Sequence, residues 1–218
     1  MDLDTQLKDL RKQVQETPVS NEQEVLQLNK DFITCLVDLA EYHQQEHSNE
    51  WENGPLVKEY MQHAFPLSTL NIDPEFLYTT SRRLADLLTE HPRLKVLLLR
   101  YELRMLKGTQ RPAEEIATLS QSINQEVAFL ERNIRWADAG DFDKIGTNDF
   151  FKTDSVEWTE KWESCIDDVY EKVEEKLGEP GFVMGISLQY WKIKAGVLKE
   201  FGIEWKSPAE MNPDMIFD

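Results

Sequence analysis

Two histidines four residues apart, with a glutamate beside the second, form the sharpest chemical pattern in the chain: HQQEH, His43 to His47. The order H-x-x-E-H is that of the inverted zinc peptidases. On a helix, residues i and i+4 share a face. Both imidazoles could then grip one Zn²⁺ while Glu46 polarises a bound water. A third ligand is required, and no downstream acidic motif singles itself out. The flanks, QQ and SNEWENG, are wet, and a histidine also suits the last turn of a helix, where the dipole is negative. His43, Glu46 and His47 are therefore the metal-ligand candidates of a metal-dependent hydrolase, set against an ordinary helix end.

A second stretch, DFDKIGTND (141–149), has the outline of a calcium loop. Asp141, Asp143, Gly146 and Asp149 fall at positions one, three, six and nine of an EF-hand. Position five is Ile145 and position twelve is Lys152, where a ligand and a bidentate glutamate belong. The competing expectation is a polar loop with a turn glycine. Nucleophilic catalysis finds little support: there is no G-x-S-x-G elbow, and Cys35 and Cys165 sit among apolar residues at helical spacing. No Gly-rich phosphate loop or other cofactor motif is present, so no cofactor is expected.

Charge is the most informative feature. Acids outnumber bases 41 to 24, a net charge of −17. Such a field repels nucleic acid and anionic membrane and favours a basic partner. The charge is uneven. Residues 1–60 hold 13 acids against 5 bases, while residues 61–110 hold 5 against 7. In the latter block Arg93, Arg100, Arg104 and Lys107 share a helical face. Between 154 and 177, Glu157–Lys161 and Asp168–Lys172 are i,i+4 pairs that neutralise one flank. The other flank carries Glu160, Glu163, Asp167, Glu171 and Glu174 with no lysine among them. Like charges at this spacing repel by a few tenths of a kcal/mol per pair. Three arrangements tolerate that cost: pairing with the Arg93–Lys107 row, simple solvation, or a negative surface offered to a basic partner. Under the last, these five carboxylates are the partner-binding residues, with Trp51 as an aromatic hot spot.

The elements that must position these groups are helical. Apolar residues recur at three and four throughout, as in Ile116, Leu119, Ile123, Val127, Leu130, Ile134 and Ala137. Asp73-Pro74 and Pro112 are helix starts, and Gly178 and Gly202 are stops. A short first helix or arm covers 1–17. No alternating strand pattern and no internal repeat occur. The fold class expected is all-α: a single-domain bundle, residues 1–218, of six to eight helices. MDLDTQLKDL is charged and has no apolar h-region, no apolar run approaches a membrane span, and two isolated cysteines suit a reducing compartment. A cytoplasmic protein that binds neither membrane nor nucleic acid is expected.

The C-terminal stretch FGIEWKSPAEMNPDMIFD (201–218) is apolar where an idle end is usually polar. Ser207, Pro208 and Glu210 make a cap, a proline at the first helical position and a glutamate at the third. An ordered tail, 203–218, docked on its own bundle is expected. The run YWKIKAGVLKEFGIEWKSPAEMNPDMIFD (190–218) resembles the C-terminus of a family of uncharacterised bacterial proteins through Y-W-x-x-K, G-I-x-W-x-S-P and N-P-x-x-x-F-D. The resemblance covers about 30 residues and implies a bacterial or mobile-element origin; it supplies no catalytic residue. By class analogy, small acidic helical bacterial proteins are often immunity partners of toxins. The function expected is thus a non-enzymatic acidic protein that neutralises a basic partner such as a nuclease toxin. The alternatives are the hydrolase at His43, Glu46 and His47, and a helical scaffold.

Overall fold

The computed structural model describes residues 2–46, 49–147, 152–178 and 186–216. Among them are nine α-helices and no strand: α1 (Leu3–Glu16), α2 (Gln23–Glu46), α3 (Asn53–Leu67), α4 (Pro74–Leu87), α5 (Pro92–Leu106), α6 (Ala113–Ala139), α7 (Glu160–Leu177), α8 (Ile186–Glu200) and α9 (Pro208–Met211). No helix among the described residues is long and apolar enough to cross a membrane. The all-α class follows from the spacing, and many boundaries follow from capping chemistry. Asp73 accepts the Glu75 amide ahead of Pro74, and Thr159 accepts the Trp162 amide at the start of α7. Gly178 and Gly202 stop α7 and α8 with φ of +68° and +71°, where a side chain would be strained. His91 lies outside the helix expected to reach it: α4 ends at Leu87, and α5 restarts at Pro92.

The chain divides into two compact units, one of residues 1–89 and 94–128, the other of residues 90–93 and 129–218. In the first, α2 is the central helix, packed by α1, α3 and α4. Its apolar face (Phe32, Ile33, Leu36, Leu39) is fully buried with Tyr60, Leu67, Leu77, Leu84, Leu98 and Leu99. The Tyr60 hydroxyl bonds Thr80 and the Leu77 carbonyl, and the Tyr101 hydroxyl donates to the Ala64 carbonyl. Polar handles on buried aromatics fix their register.

One residue in this core breaks the pattern. Glu102 occupies the stripe between Leu98 and Leu106, its side chain is fully buried, and neither carboxyl oxygen has a hydrogen-bond partner. The nearest cation is Arg82, at 3.9 Å. Burial pushes the Glu102 carboxyl up to about 7; Arg82 and Lys95 oppose this, and repulsion from Asp86 and Glu126 adds to it. A carboxyl raised in the folded state costs stability as pH rises from its ordinary value to the raised one. Glu102→Gln removes that titration. Between pH 5 and pH 8 the native protein should lose roughly 2 kcal/mol more than the variant. Urea midpoints at the two pH values test this, and parallel curves would exclude the proton uptake.

The second unit packs α7 on α8. Its core is Trp162, Cys165, Ile166, Val169, Val173, Val197, Leu198, Ile203 and Trp205. The tail belongs to it. Ile203 and Trp205 are buried, and Ser207 with Glu210 makes a complete capping box for α9. The Trp205 indole donates to Glu157, and the Lys206 amide donates to Asp154. The Asn212 side chain bonds both backbone groups of Lys152. Docking ends there. Met215 is exposed and Ile216 is 95 % exposed, so Ile216 does not join the burial expected of it. Phe217 lies outside the described residues.

Candidate functional site

The carboxylate row of α7 does not present one outward face. Glu160 and Glu171 are exposed, and Glu174 is half-buried. Glu163 and Asp167 turn inward onto His91, which is only 6 % exposed. One Glu163 oxygen lies 3.2 Å from Nδ1, the Asp167 carboxylate lies 2.9 Å from Nε2, and the other Glu163 oxygen accepts the Arg93 amide at 3.2 Å. Burial alone would lower the His91 pKa. The hydrogen bonds to Asp167 and Glu163 outweigh it and raise the pKa to about 9. The ring is therefore an imidazolium between two carboxylates at neutral pH. It answers the middle of the stripe. Arg93 pairs elsewhere, with Asp138 and the Trp158 carbonyl. Trp51 is half-buried in a short 3-10 turn (Glu50–Glu52), so it is not the exposed aromatic expected.

A second buried charge in this unit has no counterpart in the motif search. Lys194 is 3 % exposed. Its ammonium lies 4.9, 4.6 and 4.9 Å from the ring centres of Trp162, Tyr170 and Trp205. It donates to the Tyr170 hydroxyl at 2.8 Å and to Glu90 at 3.4 Å. Three aromatic faces around one ammonium form a cation–π box, here filled by the protein's own side chain. Burial raises the adjacent Glu157 carboxyl to about 7, repulsion from Glu90 adds to this, and Lys194 and the Trp205 indole restrain it. The signal was present in the sequence: Lys194 stands on the stripe Tyr190, Val197, Leu198, Phe201, where a core residue belongs.

The calcium-loop outline resolves into an ordinary turn over its described part. Asp141 accepts from Lys144, and the buried Asn133 side chain brackets Gly146, donating to its carbonyl and accepting its amide. Asp149 lies outside the described residues.

The H-x-x-E-H segment also changes partners. His43, on α2, is 1 % exposed, whereas Glu46 is exposed and His47 lies outside the described residues. His43 does not meet Glu46. One ring nitrogen of His43 and a carboxylate oxygen from each of Asp4 and Glu52 all lie within 4.8 Å of one another. Among the described residues this is the only group of three or more such side chains placed to share a cation.

An open cleft in the first unit lies along α1 and α2. It encloses about 360 Å³ and is lined by Leu3, Gln6, Asp9, Leu10, Gln13, Asp31, Thr34, Cys35 and Asp38. Leu3 and Leu10 remain half-buried in it. Three aspartates line the groove and no basic residue does. Asp38 pairs with Arg83, and Asp31 accepts from Gln27. A lining that mixes leucines with carboxylates suits a segment that alternates aliphatic and cationic side chains. No protein-family model matches the chain, and neither does any curated protein or solved structure.

Proposed function

We propose that the protein is an acidic binding module that captures a basic protein partner, in the manner of an immunity protein against a cationic toxin. The observation that carries this is the α1–α2 groove, where Asp9, Asp31 and Asp38 line a partly apolar cleft without a basic residue. The surrounding segment, residues 1–60, is also the one where acids exceed bases 13 to 5. Long-range attraction of that sign raises association rates, and Leu3 and Leu10 supply apolar contact that the carboxylates cannot. The α7 stripe has a smaller part in this function. Glu160 and Glu171 are its exposed members, while reversing Glu163 or Asp167 would break the His91 clamp and confound the result.

The test is titration with a synthetic amphipathic helix of leucines and lysines, at two salt concentrations. Asp9→Lys with Asp31→Lys should weaken binding at least tenfold, about 1.4 kcal/mol, and flatten the salt dependence. Glu160→Lys with Glu171→Lys should change affinity less than threefold. Equal binding by native protein and the Asp9/Asp31 variant would remove the groove as the interface.

A further inference from the structure

We propose that Asp4, His43 and Glu52 form a binding site for a divalent transition-metal ion, one that shares only His43 with the H-x-x-E-H motif. Three elements converge to build it: the first turn of α1 supplies Asp4, the end of α2 supplies His43, and the residue preceding α3 supplies Glu52. Their ligand atoms lie within 4.8 Å of one another. A tetrahedral zinc site with bonds near 2.0–2.1 Å needs about 3.3 Å between ligand atoms. Asp4 is exposed, so rotation of its carboxylate can close that gap.

The histidine is oriented as a ligand should be. The Asn53 amide nitrogen donates to the Ala40 carbonyl at 3.2 Å, which turns Asn53 Oδ1 to the imidazole. That oxygen lies 3.3 Å from His43 Nδ1 and can only accept, so Nδ1 carries the proton. Nε2 is then the nitrogen left to serve as a ligand. A second partner that fixes the tautomer of a metal-binding histidine is the usual arrangement around zinc. Both His43 and Asn53 are buried, at 1 % and 3 % exposure, so the donor is held rigidly. Two carboxylates are brought to one imidazole, an arrangement that a cation stabilises.

The donor set indicates the class of ion. One imidazole nitrogen disfavours Ca²⁺ and Mg²⁺, which take oxygen ligands. The lack of sulfur disfavours Cu⁺. Zn²⁺ fits, with its remaining position open to water from the Asp4 side.

The test is calorimetric titration of the stripped, full-length protein with ZnCl₂, with MgCl₂ as comparison. One Zn²⁺ per chain is expected, with Mg²⁺ at least a hundredfold weaker. Asp4→Asn and Glu52→Gln should each weaken Zn²⁺ at least tenfold. Asp4 is exposed, so Asp4→Asn retains the fold even if a variant at His43 does not. The nitrogen NMR signal of His43 Nε2 should move on Zn²⁺ addition, while Nδ1 keeps its proton. Absence of stoichiometric zinc overturns the site. So does unchanged Zn²⁺ affinity in both carboxylate variants, which would place the ion elsewhere.

Discussion

Deletion of residues 203–218 should lower the thermal midpoint of the C-terminal unit by at least 10 °C. Ile203 and Trp205 are 2 % and 8 % exposed, and both belong to the α7–α8 core. Removing two such side chains costs roughly 5 kcal/mol or more, counting the cavity they leave. At about 2–4 °C per kcal/mol for a chain of this size, the fall exceeds 10 °C. The loss is more than hydrophobic. Trp205 is one wall of the Lys194 box, and its indole is the donor to Glu157. Without it an ammonium and a carboxyl both lose a partner, which makes the tail part of the core's electrostatics. Ile216→Ser is the control: at 95 % exposure, that side chain should leave the midpoint within the error of measurement. Tryptophan fluorescence during heating reads the transition. An unchanged midpoint on deletion would mean that the tail contributes no stability and is left for a partner.

Replacing His91 with glutamine should cost roughly 3 kcal/mol at pH 6, since Glu163 and Asp167 would then face each other with no cation between them. The effect carries a pH signature. The His91 pKa is about 9 in the folded protein against an ordinary 6.5. A base with a raised folded pKa contributes fully below the unfolded value and loses its contribution as pH climbs through the folded one. Native stability in the C-terminal unit should therefore fall between pH 6.5 and pH 9, and His91→Gln should show no such fall. Denaturant unfolding across that window measures both. A native protein equally stable at pH 6.5 and pH 9.5 would show that the His91 pKa is not raised in the fold.

How much of this was legible in the residues depends on how far apart the partners are. The helices and many of their ends were legible, because caps and stops act within four residues: Asp73-Pro74, Gly178 after α7, and Ser207 with Glu210. On α7 the apolar residues at three and four, Trp162, Ile166, Val169 and Val173, are buried as such spacing implies. Its acidic side is not legible that way. Spacing alone cannot show that a histidine 72 residues earlier meets Glu163. The H-x-x-E-H motif is local in the same way. Helical periodicity puts His43 and His47 on one face, but tertiary packing gives His43 the carboxylates of Asp4 and Glu52. Glu102 and Lys194 were visible as charges on apolar stripes, a mismatch that marks a buried ionisable group before any coordinates exist.

The placement of residues 90–93 with the later half of the chain has a consequence for biosynthesis. His91 leaves the ribosome 72 residues before Glu163 does. At ordinary translation speeds of about 5–20 residues per second, that imidazole waits roughly 4–14 s for its carboxylates. The C-terminal half cannot finish folding from its own contiguous sequence, and a gene fragment starting at residue 129 would encode the clamp's anions without their cation.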